Sequence, residues 1–261
     1  MKWPKELVLI RHAESIYNFS KIQKDTDPEY QKFKELYEEG EKNDFKFSRE
    51  IIKLAIKLKG HYFLGKSDFE TPLTKIGHEQ AYKTGRAMSE VIELPRCVFV
   101  SPYLRTEETL MELRRGWPEL AKIKTITDER IRERQIGLLE LYNDYRIFNV
   151  FYPEQGRLRK LQKDVYYQFP QGESIIDVQL RNRQAFQTIT REYPNKKVWL
   201  ITHHLTILSI RSLLERWRME EFIAADKNHK PKNCGITIYK GNPNQGSNGK
   251  LVLQEYNKIF Y

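Results

Sequence analysis

Arg11-His12 follows the apolar run Leu7–Ile10, Ser101 and Arg105 follow Cys97–Val100, and His203-His204 closes the run Val198–Thr202. An imidazole can serve as nucleophile, as proton donor or acceptor, or as metal ligand. A guanidinium only donates hydrogen bonds and carries positive charge. Taken singly, each of these residues is an ordinary polar strand end or surface ion pair. Gathered at one place, imidazoles and guanidiniums are electrostatically costly unless an anion joins them. A phosphoryl group fits, because arginine forks match its oxygens bidentately. No Ser-His-Asp or Cys-His arrangement and no Gly-x-Ser-x-Gly elbow accompanies them, so a histidine is itself the candidate nucleophile. Zinc is the rival. No His-Glu-x-x-His or clustered aspartate motif is present, and His203 and His204, side by side on a strand, would point to opposite faces and chelate poorly. The expectation is a site with no metal and no cofactor.

For these residues to meet, the three runs must be parallel neighbouring strands whose carboxyl ends share one edge of a sheet. The patterning agrees. Strands at 7–10, 97–100, 123–127 and 197–204 alternate with helical segments, which predicts an α/β fold: a three-layer α/β/α sandwich around a mostly parallel central sheet. Thr74 is placed to cap a helix running to about Val91. Ser174, with Asp177 behind it, opens another that stops before Tyr193-Pro194, and a helix follows from Leu205 to about Trp217. Two final strands, 235–240 and 251–256, flank the turn-rich Gly241–Lys250. Between the first strand and Thr74, Asp27-Pro28 and Ser48 start two helices ending near Gly40 and Gly60. These form a charged helical hairpin inserted at about 20–66. A short helix is expected around 157–167, within an aromatic and basic segment, 138–168, suited to walling a pocket and setting specificity. No linker or composition shift marks a boundary, so residues 1–261 read as one domain.

The composition narrows the classes. The chain has 261 residues, 39% of them hydrophobic, and a net charge of +10. Its basic residues are scattered rather than gathered into a tail, which argues against nucleic acid and for steering of small anions. Cys97 and Cys234 form neither a Cys-x-x-Cys motif nor a disulfide framework and read as small core residues on strands. No run approaches the roughly 18 apolar residues of a membrane helix, and the opening apolar run is too short for a signal segment. A soluble, cytoplasmic protein with no membrane partner is expected, its oligomeric state left open.

Six stretches in order carry a resemblance: "LVLIRHAESIYN", "TPLTKIGHEQA", "VSPYLRTEET", "RIRERQIG", "FPQGES" and "LITHH". Together they resemble the histidine phosphatase superfamily, in its phosphoglycerate-mutase-like branch. The resemblance implies that His12 becomes phosphorylated, that Arg11, Arg105 and His203 surround the phosphoryl oxygens, and that Glu133 protonates the leaving oxygen and later activates water. His203 would serve as a donor or a cation. It also implies that Ser15, Asn18 and Arg134 contact substrate, although Asn18 reads equally well as a local backbone cap. Ala13, Thr106 and His204 stand where the family usually has Gly, Ala and Gly, and His204 is expected to crowd its turn. The segment that helps a mutase hold a bisphosphate has no clear counterpart; Gly156–Asp164 is basic but does not align with it. The expected function is therefore a phosphomonoester phosphatase acting through phosphohistidine on a small anionic phosphorylated substrate. The alternatives are a bisphosphate-primed phosphoglycerate mutase and, in another class, a non-catalytic member of the fold that binds RNA or protein.

Overall fold

The computed structural model describes residues 2–261. The chain divides into two compact units. The first comprises the chain up to Ser15, Phe69–Glu133 and Asp177–Tyr261; the second comprises Ile16–Asp68 and Arg134–Ile176.

The first unit is built on a six-stranded sheet. Its strands are β1 (Glu6–Arg11), β2 (Cys97–Val100), β3 (Lys124–Thr127), β4 (Lys197–Thr202), β5 (Ile236–Asn242) and β6 (Lys250–Lys258). They lie in the order β3-β2-β4-β1-β5-β6. The pairs β3–β2, β2–β4 and β4–β1 are parallel, whereas β5 and β6 add on antiparallel. Such a sheet must be covered on both faces, so its central strands are continuous apolar runs. Alternation along each strand then sorts side chains between two cores. Leu7, Leu9, Phe99, Val198 and Leu200 meet the helices Ile175–Glu192 and His204–Glu215 through Ala185, Ile189, Ile207 and Ile210. Val8, Ile10, Val98, Trp199 and Ile201 meet the helices Lys75–Val91 and Leu104–Gly116 through Met88, Leu110 and Leu113. Each fully buried side chain of this size contributes about 1.5–3 kcal/mol, enough to lock the register. That register pairs Arg11 with Thr202 and Val100 with Ile201, so the three strand ends stand level.

Several expected boundaries move. Thr74 caps its helix as expected, its hydroxyl accepting from Gly77 N at 2.9 Å. β4 stops at Thr202, and His203 is the N-cap of the next helix rather than a strand residue. His203 and His204 therefore do not share a strand with opposed faces. Cys97 lies on β2, but Cys234 precedes β5 with a left-handed φ of 51°. A helix at Met219–Asn228 was not anticipated; it starts after Arg216 turns left-handed and ends the preceding helix.

The second unit has its own aromatic core, with Tyr30, Phe33, Tyr37, Phe45, Tyr142, Phe148, Tyr167 and Phe169 buried. The expected hairpin is three helices: Ile16–Thr26, Pro28–Lys42 and Arg49–Tyr62. The helix at Pro28 runs past Gly40, where a Cβ would come within 2.4 Å of the Phe47 ring. Instead of one helix at 157–167 there are two, Tyr145–Phe151 and Pro153–Gln162, the second beginning on its proline. Among the described residues no helix is long and apolar enough to cross a membrane.

Candidate active site

The carboxyl ends of β1, β2 and β4 deliver His12, Ser101 and His203 to one place. His12 N donates to Thr202 O at 2.9 Å and Ser101 N to Ile201 O at 3.1 Å, which ties the three strand ends together. The His12 and His203 ring centroids are 5.2 Å apart. Both side chains are buried, as are those of Ser101 and Arg105.

The two nitrogens of His12 differ. Nδ1 lies 2.7 Å from the carbonyl oxygen of Ala13. A carbonyl only accepts, so this contact assigns the proton to Nδ1 and leaves the lone pair on Nε2. Desolvation, with the charges of Arg105 and Arg11 added, holds the ring's pKa well below 6.5. The backbone around it is firmly held: Ala13 N donates to Thr109 Oγ1 at 3.0 Å, and His12 O accepts from Asn233 Nδ2 at 3.0 Å. Ala13 needs no left-handed φ, and its methyl group packs in a small cluster with Leu73, Ala81 and Cys234. Burial pushes the Cys234 thiol up to about 12, so it remains protonated.

Arg11 spends one Nη1–H on Pro231 O at 2.7 Å. Burial and neighbouring Arg105 pull its pKa down to about 10, against the opposing charge of Glu133. Thus Arg11, His12, Arg105 and His203 lie within mutual electrostatic reach, and Glu133 lies within reach of Arg11. The Glu133 residue is half-buried. His203 has its Nε2 at 2.7 Å from Ser101 Oγ, and burial, Arg105 and His12 push its pKa well below 6.5 as well. A neutral donor therefore fits His203 better than a cation.

Tyr103 was missed in the sequence. Its ring meets the His203 ring at 5.0 Å on edge and lies 4.8 Å from the Arg105 guanidinium carbon. The residue stands where the resembled motif has Leu, which was the available signal. The expected crowding at His204 is resolved differently: its Nε2 turns to Asp226 Oδ1 at 2.8 Å. Ser15 is buried in a bridge with Leu73. Asn18 and Arg134 belong to the second unit. There Arg134 donates through Nε to Glu173 O at 2.7 Å and through Nη2 to Tyr167 O at 3.2 Å. Among the described residues no group of three or more His, Cys, Asp or Glu side chains is gathered for a metal.

A family model described as the histidine phosphatase superfamily (branch 1) matches residues 58–253. The chain belongs to the histidine phosphatase superfamily. Within this superfamily member the matched stretch starts beyond Arg11-His12, and the helices from Ile16 to Tyr62 follow that motif in the chain. The chain is 27% identical over 175 residues to the phosphoglycerate mutase-like protein AT74H of Arabidopsis thaliana, covering 59% of this chain and 60% of that protein. It is 28% identical over 153 residues to the probable phosphoglycerate mutase GpmB of Yersinia enterocolitica, covering 58% and 65%. The chain thus spans less than two thirds of either relative's length. Among solved structures, a mycobacterial glucosyl-3-phosphoglycerate phosphatase in complex with inorganic phosphate superposes with TM-score 0.63 at 16% identity over 98% of both chains. A putative α-ribazole-5'-P phosphatase of Escherichia coli gives 0.66 at 14% identity, again over 98% of both. At those identities the likeness is one of fold.

Proposed function

We propose that the protein is a phosphomonoester phosphatase that works through a phosphohistidine on His12. The observation that carries this reading is the His12 ring itself. It is neutral, has its proton drawn to Nδ1 by Ala13 O, and stands beside buried cationic and donor groups. That is the state a nitrogen nucleophile needs.

In the first step the Nε2 lone pair attacks phosphorus as the bond to the ester oxygen breaks. Glu133 gives its proton to that oxygen, and the alcohol leaves. Arg11, Arg105 and the Nδ1–H of His203 hold the equatorial phosphoryl oxygens, stabilising charge as it redistributes. In the second step Glu133, now a carboxylate, takes a proton from water as the water oxygen attacks phosphorus. The P–N bond breaks, inorganic phosphate departs, and His12 is regenerated. The sum is ester plus water giving alcohol plus phosphate. Ser15, Asn18 and Arg134 are the proposed contacts to the rest of a small anionic substrate, drawn in by the net charge of +10. Residues 1–261 are read as one functional domain acting in the cytoplasm.

The structural neighbours known as phosphatases support hydrolysis over transfer. The mutase reading draws on the names of the sequence relatives. Wild type and His12→Ala, assayed with chelator across phosphorylated metabolites, test the first. Phosphate release must vanish in the variant, and wild type must yield an acid-labile phosphoprotein. Interconversion of 3-phosphoglycerate without phosphate release would favour the mutase, and no turnover beside salt-sensitive RNA binding would favour the non-catalytic alternative.

A further inference from the structure

We propose that Arg181, Thr202 and Thr206 act as one clamp that positions the Glu133 carboxyl for proton exchange with the ester oxygen. This rests on the reading of Glu133 as the acid. The clamp is a run of four consecutive carbonyl oxygens, each taken by a side chain. Arg181 Nη1 donates to Arg130 O at 2.9 Å and to Arg132 O at 2.8 Å, and its Nη2 donates to Glu133 O at 3.0 Å. Thr202 Oγ1 donates to Ile131 O at 2.6 Å. Thr206 Oγ1 donates to Arg132 O at 2.8 Å.

The segment needs such holding. Only a single 3-10 turn, Glu129–Ile131, precedes Glu133, and Arg132 already has extended backbone. Glu133 itself lies outside the regular helices and strands. A displacement of about 1 Å in a reacting group can lower rate by about 100-fold. Side-chain donors therefore replace what a strand or helix would have supplied.

The anchors are well placed for this. Thr202 is the last residue of β4, opposite Arg11 in the register, and Thr206 lies in the first turn of the helix capped by His203. Both are wholly buried. One short stretch of chain thus carries His203 and two of the three anchors. Arg181 reaches in from the helix Ile175–Glu192, is 8% exposed, and its charge adds to those that keep His203 neutral. The proton donor and the phosphoryl-binding imidazole are mounted on the same strand end, so the distance between them is set by rigid structure.

The test is the dependence of kcat/KM on the leaving group, measured on 2,4-dinitrophenyl, 4-nitrophenyl and phenyl phosphate. This constant reports formation of the phosphohistidine. Phenolate needs a proton as it departs, whereas dinitrophenolate does not. Glu133→Gln is expected to lose about 100-fold or more on phenyl phosphate and only a few-fold on the dinitrophenyl ester. Arg181→Met is expected to follow the same pattern, with about a tenfold loss on phenyl phosphate and no more than about threefold on the dinitrophenyl ester. Thr206→Val should show a smaller loss of the same kind, which Thr206→Ser restores. If Arg181→Met does not fold, the Thr206 pair decides. Equal losses across the three esters in the clamp variants, with Glu133→Gln still selective, would overturn the clamp. Equal losses in Glu133→Gln itself would instead remove Glu133 as the acid.

Discussion

Ser101 Oγ lies 2.7 Å from His203 Nε2, with both side chains wholly buried. His203 Nδ1 is also buried and meets no hydrogen-bond partner among the described residues. With the Ser101 hydroxyl as donor to Nε2, the ring proton is left on Nδ1, and in the proposed mechanism that N–H meets a phosphoryl oxygen. An unpaired buried donor is costly, and a phosphoryl oxygen would remove that cost on binding.

Replacing Ser101 by Ala should release this choice of tautomer. The expected result is a fall in kcat/KM of about tenfold, corresponding to the roughly 1–1.5 kcal/mol of a buried hydrogen bond. The ring 15N shifts of His203 should move from a single Nδ1–H form to a mixture. Unchanged shifts would show that Ser101 does not set the tautomer.

Activity should persist to a pH below the usual range for a histidine nucleophile. In the proposed mechanism His12 attacks only when neutral, and its surroundings hold its pKa well below 6.5. The acidic limb of kcat/KM should therefore lie below 6.5. Stability follows with a definite sign. His12 and His203 both have folded pKa values depressed from 6.5, so below that pH the unfolded chain binds more protons than the folded one. Stability is complete above about 6.5 and is lost as pH falls below it. Melting temperature against pH checks this, and an His12→Asn, His203→Asn double variant should flatten the slope.

Gly77 controls the loop after His12. A Cβ there would stand 2.1 Å from Glu14 O, a backbone atom with little room to yield. Gly77 N is also the donor to Thr74 Oγ1, and that hydroxyl reaches Glu14 Oε1 at 2.8 Å. Gly77→Ala should displace residues 13–15 and lower kcat/KM by about tenfold or more. Wild-type kinetics in this variant would show that the loop position is not coupled to catalysis.

The Glu215 carboxylate gathers donors that have nothing to do with the reaction. It accepts from Arg211 Nε at 2.9 Å, Arg211 Nη2 at 3.1 Å and Trp217 Nε1 at 3.1 Å, as well as from the Tyr239 hydroxyl. Glu215→Ala leaves a buried Arg211 without this partner and should cost about 3 kcal/mol of stability. Denaturant titration measures the loss. Activity per folded molecule should stay within about twofold, since surplus stability does not enter the rate.

The local pattern of the sequence was enough to locate the strand ends and their polar caps. β1, β2 and β4 are short apolar runs stopped by Arg11-His12, Ser101 and His203, and a strand buried on both faces has no other way to end than in groups that find polar partners. Thr74 and Ser48 announced their helices because a hydroxyl before a periodic run satisfies orphan N–H groups locally. By contrast, the helix Ile16–Thr26 was invisible. Its apolar residues Ile16, Phe19 and Ile22 are exposed, while Ser20 and Lys24 are buried, with Lys24 Nζ bonded to Asn143 O at 2.6 Å. No amphipathic reading survives that inversion.

What only the tertiary structure decided lies in contacts between residues far apart in the chain. Which nitrogen of His12 keeps its proton depends on a carbonyl turned toward it. Which nitrogen of His203 does depends on Ser101, 102 positions away. The clamp on residues 130–133 joins side chains from a helix and a strand more than 45 positions beyond. Residue types and spacing specify what chemistry is available; protonation states and the placement of an acid arise from burial and from donors that folding brings into reach, and neither is written in any local stretch.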